Sequence, residues 1–122
     1  MARPSRNEER EERIQNEVIV DAYGPEEQAL GWHTYLDETM HFPFRATCIA
    51  ERVISPLRPG EKVEVTGMAP EEECEHEMFV LTQWRRRTLA VPLAQLAGFA
   101  VDEETEQAIG DWHYWIDAGN EL

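Results

Sequence analysis

The stretch NEVIVDAYGPEEQALGWHTYLDETMHFPF, residues 16–44, determines where the predicted helices of the N-terminal half begin and end. Gly24-Pro25 ends a first apolar stripe of helical spacing. Pro25 also starts a second helix, because proline fits the first helical turn and the acids Glu26 and Glu27 favour the positive end of the helix dipole. We predict that this helix runs to about Met40, before Phe42-Pro43-Phe44 breaks the pattern.

The same stretch is acidic and contains no Lys and no Arg. Its carboxylates are Glu17, Asp21, Glu26, Glu27, Asp37 and Glu38. Their counter-charge must come from distant arginines, from water with dissolved salt, or from a bound hard cation. A helix rises ~1.5 Å per residue, so the acids at the start of the second helix and those near its end are roughly 16 Å apart. They therefore form two groups, which one ion cannot bridge: Asp21, Glu26 and Glu27, then Asp37 and Glu38.

A hard cation such as Ca²⁺ takes about six to eight oxygen ligands, chiefly carboxylates and carbonyls. The spacing of an EF-hand loop is absent from the chain. A second acidic segment, residues 71–77, is another candidate, although such a loop can simply be solvated. Cys48, Cys74 and His76 match no closed zinc motif.

Composition limits the classes of partner. The chain has 122 residues, 25 acids against 11 bases, and a net charge of −14. Such a field repels nucleic acid and anionic membranes and concentrates cations, so we predict neither of these as a partner. No apolar run approaches the ~18 residues of a membrane span, and no hydrophobic signal core follows Met1. With two widely spaced cysteines read as reduced thiols, these features predict a cytoplasmic protein.

The middle of the chain has the pattern of an antiparallel sheet. Apolar and polar residues alternate from Phe44, and further strands are predicted at residues 62–66, 78–84 and 88–91, with a helical turn in PLAQLAG at 92–98. Four or five short strands predict a small antiparallel SH3-like barrel or a curved sheet. Between two of these strands, residues 85–87 are three arginines, which could bind an anion or supply counter-charge to the acidic segments.

A last helix is predicted from its N-cap Asp102 to Gly119. Its apolar stripe is Ala108, Ile109, Trp112, Trp115 and Ile116. Asp111 lies on one edge of this stripe and would join a metal site if the helix packed alongside the second one. The fold class is thus α+β: N-terminal helices, a small sheet or barrel, and a C-terminal helix. We divide the chain into a flexible charged tail, residues 1–13, and one calcium-binding domain, residues 14–122, although helical spacing already begins at Asn7.

Catalytic chemistry has little support. The four histidines and the serines show no nucleophile–base arrangement, and no feature defines a substrate cleft. We therefore predict that the protein is not an enzyme.

Several blocks together carry a resemblance to a known family. They are IVDAYGPEEQALGWHTYLDETMHFPFRATC, SPLRPGEKVEVTGMAPEEECEHEMFV, LAVPLAQL and DEETEQAIGDWHYWIDAG. In this order, over about residues 14–119, the chain resembles the cyanobacterial calcium-binding protein family, CcbP. The resemblance implies a small acidic Ca²⁺ binder without an EF-hand, of a kind regarded as a buffer of free intracellular Ca²⁺.

The sequence thus predicts a Ca²⁺-binding buffer or sensor that uses carboxylate ligands. Chosen by their chemistry within the matching blocks, the candidate metal ligands are Asp37, Glu38, Asp21, Glu26, Glu27 and Asp111. The alternative is an acidic interaction module that docks a basic protein surface without a specific metal.

Overall fold

In the computed structural model, which describes residues 7–122, three α-helices pack against a five-stranded antiparallel sheet. The helices are α1, Glu8–Arg13, which continues into a π-helix, Ile14–Val18; α2, Pro25–Thr39; and α3, Glu103–Asp117. The strands are β1, Phe44–Cys48; β2, Lys62–Met68; β3, Phe79–Trp84; β4, Arg87–Pro92; and β5, Leu96–Phe99. Short 3-10 helices, Glu71–Cys74 and Leu93–Gln95, precede β3 and β5. The predicted α+β class is confirmed.

The sheet is open. Its strand order is β4-β3-β2-β1-β5, so β4 and β5 form the two edges. Every pairing is antiparallel, and the β2–β3 register shifts between Val65 and Gly67. Of the two predicted arrangements, the chain therefore adopts the sheet and not a hydrogen-bonded closed barrel.

Both predicted helix starts are confirmed. α2 begins at Pro25, and the side chain of Asp102 caps α3 by accepting a hydrogen bond of 2.8 Å from the Thr105 backbone N–H. The carboxylate also accepts a bond from the Thr105 hydroxyl and lies beside His41. These bonds, led by the one from the Thr105 backbone, lower the pKa of Asp102.

Residues 8–13, which the division of the chain assigned to the charged tail, form α1, as the helical spacing from Asn7 predicted; residues 1–6 lie outside the described part of the chain. Asn7 caps α1 by accepting a bond of 3.0 Å from the Arg10 backbone N–H, and its own N–H donates to the Tyr114 hydroxyl. Long-range contacts attach this helix to the domain, because Arg10 and Arg13 bind a carboxylate about 100 residues away on α3.

Two other boundaries differ from the predictions. The apolar stripe of helical spacing extends to Gly24, but the first helix ends as a π-helix at Val18, and Asp21 then adopts a left-handed φ of 57°. PLAQLAG supplies the expected helical turn, but its last residues also begin β5, which pairs with β1. Sheet pairing overrides the weak local pattern there.

Tryptophans join α2 to α3 at the centre of the core. The ring centroid of Trp32 lies 5.1 Å from that of Trp112 and 5.5 Å from that of Trp115. The predicted α3 stripe is buried except for Ile116, which is partly exposed. Such large buried rings dominate core stability and hold α2 at a fixed position, which in turn places its acidic residues.

Candidate metal centre

An open cleft of about 320 Å³, the first cleft, lies between the start of α2 and the 3-10 helix before β3. Carboxylates from both elements face it, and its lining contains no Lys or Arg. The lining residues are Glu26, Ala29, Leu30, His33, Glu71, Glu72 and Glu75. The structure thus brings Glu26, a predicted ligand, together with the second acidic segment of the sequence.

The acidic segment opposite α2 is anchored and not a loose loop. His33 Nε2 lies 2.7 Å from the carbonyl oxygen of Ala69, just before the 3-10 helix. Cys74 closes that helix with a buried side chain, and its sulfur accepts a hydrogen bond from the Phe79 backbone N–H. Burial raises the pKa of the Cys74 thiol, which favours its neutral form and a structural role. These contacts hold Glu71, Glu72 and Glu75 against α2.

A second cleft, of about 310 Å³, lies on the other side of α2. Its acidic lining residues are Glu17, Asp21 and Glu27. Glu26 and Glu27 face different clefts because successive helical side chains point about 100° apart. The predicted N-terminal group of acids is therefore divided: Asp21 and Glu27 share the second cleft, while Glu26 belongs to the first.

Asp37 and Glu38 lie in the last turns of α2, and both are exposed. They line neither cleft. The last turn of α2 contains no basic residue. Two carboxylates therefore sit at the negative end of a helix dipole, an arrangement that a nearby cation would relieve.

The structure gives Asp111 a different set of partners from the one the sequence predicted. The side chain is fully buried, and α3 packs alongside α2, which was the condition for Asp111 to join a metal site. Arg10 donates to Oδ1 at 2.7 Å, Arg13 donates to both oxygens at 2.8 Å, and the Tyr35 hydroxyl donates to Oδ2 at 2.6 Å. With both oxygens bound by cationic or hydroxyl donors, this carboxylate holds the N-terminal helices to the core.

Sequence reasoning missed the partners of Asp111. Arg10 and Arg13 lie at i,i+3 on one helix face, a spacing that allows both to reach one group. This spacing is visible in the sequence, but no local pattern indicates that Asp111 is the shared partner. Bonding to this carboxylate raises the pKa of Arg13. Burial, followed by the hydrogen bond to Asp111, raises the pKa of Tyr35 from 10.0 to about 12.

The raised pKa of Tyr35 predicts an alkaline stability profile. An acid with a raised folded-state pKa contributes stability that is present below pH 10 and is lost as the pH rises towards about 12, because the unfolded chain ionises first. Tyr35→Phe should therefore flatten the decrease in unfolding free energy between these two pH values. Tyr23→Phe is the control, since Tyr23 is 87% exposed. Equal slopes for Tyr35→Phe and Tyr23→Phe in urea unfolding would contradict the assignment.

No preformed metal site is present in the described part of the chain, and this holds for the carboxylates of the two clefts as well. Within residues 7–122, no group of three or more His, Cys, Asp or Glu side chains is arranged as a ready-made metal site. Cys48 and Cys74 are both free and buried, as the prediction of reduced thiols requires. No helix among the described residues is long and apolar enough to cross a bilayer.

The fold and the clefts define a small acidic α+β protein whose carboxylates, drawn from separate elements, face shared spaces without basic neighbours. The chain belongs to the CcbP family, whose model is described as calcium binding and matches residues 12–116. It is similar to the crystal structure of CcbP from Anabaena, with 38% identity, a TM-score of 0.88 and complete coverage of both chains. It is also similar to a calcium-binding protein in its calcium-binding form, with 37% identity, a TM-score of 0.86 and complete coverage of both chains. No curated protein matches the chain. The family resemblance read from the sequence is confirmed.

Proposed function

We propose that this chain binds Ca²⁺ through carboxylates placed at the two ends of α2 and acts as a cytoplasmic calcium buffer or sensor. The observation that carries the proposal is the first cleft, where carboxylates from α2 and from the following acidic segment face one space with no cation on its walls. Family membership supports the same ion. The function is binding alone, with no bond chemistry.

At the start of α2, Glu26 would contribute with Glu71, Glu72 and Glu75, and across the helix Asp21 would contribute with Glu27. Carboxylates are hard oxygen donors, which suit Ca²⁺ better than they suit the softer metals that prefer thiolate or imidazole. Side chains on open clefts can approach an ion without unfolding the core. Binding would then relieve part of the self-repulsion of a chain with net charge −14.

At the other end of α2, Asp37 and Glu38 would anchor a site with the free carbonyl oxygens of the helix terminus. Carboxylates and backbone carbonyls together are the mixed oxygen set that Ca²⁺ accepts. The negative end of the dipole and the lack of a basic residue in the last turn support this placement.

Asp111 is not part of the proposed site. Its oxygens accept hydrogen bonds from Arg10, Arg13 and Tyr35, so a cation there would have to displace two guanidinium groups from a buried position.

Two charge-matched variants locate the ion. Asp37→Asn/Glu38→Gln and Glu26→Gln/Glu72→Gln each remove two negative charges from α2 or from the segment facing it, so their effects on the overall field are equal. We expect a variant that loses true ligands to bind Ca²⁺ at least ~10-fold more weakly by calorimetry, while the general loss of charge costs both variants similarly and little at ~150 mM salt. If both variants kept the parental affinity and stoichiometry, neither the first cleft nor the Asp37–Glu38 end of α2 would hold the ion, and the second cleft would be the remaining candidate.

A specific observation also favours the second function, an acidic module that docks a basic protein. Val20 is 53% exposed and Leu30 is 50% exposed, and both line the second cleft beside its carboxylates. An apolar surface with an acidic rim suits a basic amphipathic partner. Capture of such a partner that persists in chelator and disappears with Leu30→Ser would support this function without calcium.

A further inference from the structure

The β3–β4 hairpin ends in a two-residue turn, Arg85-Arg86, since Trp84 pairs directly with Arg87. Both turn residues have left-handed φ angles, 49° and 66°. A two-residue turn with two positive φ angles strongly prefers Asn-Gly, because side chains with a Cβ are strained in this region. The stability of the turn therefore does not account for two arginines, and such strain points to a function.

The three consecutive arginines of this turn, residues 85–87, form the arginine tip. All three are exposed, and none forms an ion pair with a described residue. The guanidinium carbon of Arg85 lies 4.5 Å from the centre of the Trp84 ring, a cation–π contact that holds it in place. The expectation that these arginines neutralise the acidic segments of the same chain is therefore not met among the described residues.

The arginine tip stays unpaired because it lies far from the acidic segment of the first cleft. The acidic segment of the first cleft precedes β3, whereas the arginine tip follows its last residue, Trp84. β3 has six residues, which at ~3.3 Å each place its two ends roughly 20 Å apart. The arginine tip and the first cleft thus lie at opposite ends of one strand, too far apart for their side chains to meet within one molecule.

We propose that the arginine tip docks into the first cleft of a second copy of this chain, head to tail. The cleft offers Glu71, Glu72 and Glu75 to the three guanidinium groups, and arginine–carboxylate pairs form strong, charge-assisted hydrogen bonds. The repulsion between two acidic molecules acts over longer distances than the attraction between groups in contact, so moderate salt screens the repulsion first, and higher salt weakens the exposed pairs as well. Because the two surfaces differ, the contact is heterologous and leaves one free tip and one free cleft.

Sedimentation equilibrium of the calcium-free protein tests the proposal. At ~50 mM salt we expect the average mass to rise above the monomer value of 14.1 kDa with concentration, and to return to it at ~500 mM salt. Arg85→Asn/Arg86→Gly removes two arginines of the tip, so this variant should stay monomeric. Because Asn-Gly is the preferred pair for this turn, its Tm should equal or exceed the parental one. A matched control, Arg45→Gln/Arg58→Gln, removes two exposed positive charges elsewhere and should associate as the parental chain does.

A mixture of two variants, one lacking the cleft carboxylates and one lacking the tip arginines, distinguishes a heterologous contact from other modes of association. Glu71→Gln/Glu72→Gln/Glu75→Gln keeps its tip, and Arg85→Asn/Arg86→Gly keeps its cleft. Each should be monomeric alone, and the mixture should form a one-to-one heterodimer that does not extend. A parental chain that remains monomeric at every concentration would overturn the proposal, as would association that Arg85→Asn/Arg86→Gly leaves intact.

One consequence rests on the proposed function: Ca²⁺ bound by the first cleft should separate the copies. If the variants change association as described but Ca²⁺ does not, the docking proposal stands. The ion would then bind away from the first cleft, for example at Asp37 and Glu38. The failure of the docking and the failure of the calcium site in this cleft therefore give different results.

Discussion

Asp111→Asn should destabilise the fold by about 3 kcal/mol, the largest effect that we expect from a change of one polar group. The variant leaves two guanidinium groups facing a neutral side chain inside the protein, with one acceptor oxygen in place of the two that now accept four hydrogen bonds. We place the effect at the lower end of the range for broken buried pairs because Arg10 and Arg13 are 28% and 19% exposed and regain some hydration.

Chemical unfolding followed by tryptophan fluorescence measures this effect. The control is Asp117→Asn, which removes the same charge from an exposed position on the same helix and should change stability by less than about 0.5 kcal/mol. A variant Arg10→Gln/Arg13→Gln should also be destabilised, with α1 released from α3. Equal unfolding midpoints for the Asp111 and Asp117 variants would show that the buried cluster does not hold the N-terminal helices.

Gly31→Ala should cost about 1–3 kcal/mol, even though alanine favours helices over glycine by about 1 kcal/mol. A Cβ at this position would lie 2.3 Å from the carbonyl oxygen of Val18, which is backbone and cannot rotate away. The variant must therefore push α2 from the π-helix and distort the second cleft between them.

Gly24→Ala is the control for this steric effect. A Cβ at Gly24 meets no atom within 4 Å, so this variant has no steric cost and its Tm should fall by less than that of Gly31→Ala. The Gly31 variant should lose several degrees in thermal unfolding, since 1 kcal/mol corresponds to about 3–6 °C for a chain of this size. A Gly31→Ala protein as stable as the parental chain would mean that α2 does not approach the π-helix this closely.

The sequence predicted those parts of the fold that have local signals. The start of α2 follows from Pro25 and its neighbouring acids, and the start of α3 follows from the capping side chain of Asp102. Alternation of apolar residues located the strands from Phe44 to Pro92, to within a few residues. These signals depend on neighbours in the chain, so they can be read without the tertiary structure.

The remaining features depend on contacts between distant segments. α1 is attached to α3 through Asp111, about 100 residues away, and β5 is defined by its pairing with β1. The candidate site also depends on contacts between segments that are distant in the sequence. Sequence could place Glu26 near the start of a helix, but only the packing of α2 against the 3-10 helix shows that Glu71, Glu72 and Glu75 share its cleft.

Asp111 shows why residue type alone does not define a metal ligand. It lies beside α2, as its position on the edge of the α3 stripe suggested, and its chemistry suits Ca²⁺. The arginines of α1 occupy its oxygens instead. Asp37 and Glu38, which are exposed and have no basic neighbour in their helical turn, remain available.

Calorimetric titration of the chelator-treated protein with Ca²⁺, in excess Mg²⁺ and ~150 mM salt, tests the central claim most directly. The proposed function predicts saturable heat at one or two equivalents of Ca²⁺, because dedicated oxygen sites discriminate against the smaller and more strongly hydrated Mg²⁺. Weak uptake without saturation, disappearing as salt is raised, would contradict the claim and would mean that the carboxylates of α2 and its clefts are a solvated acidic surface.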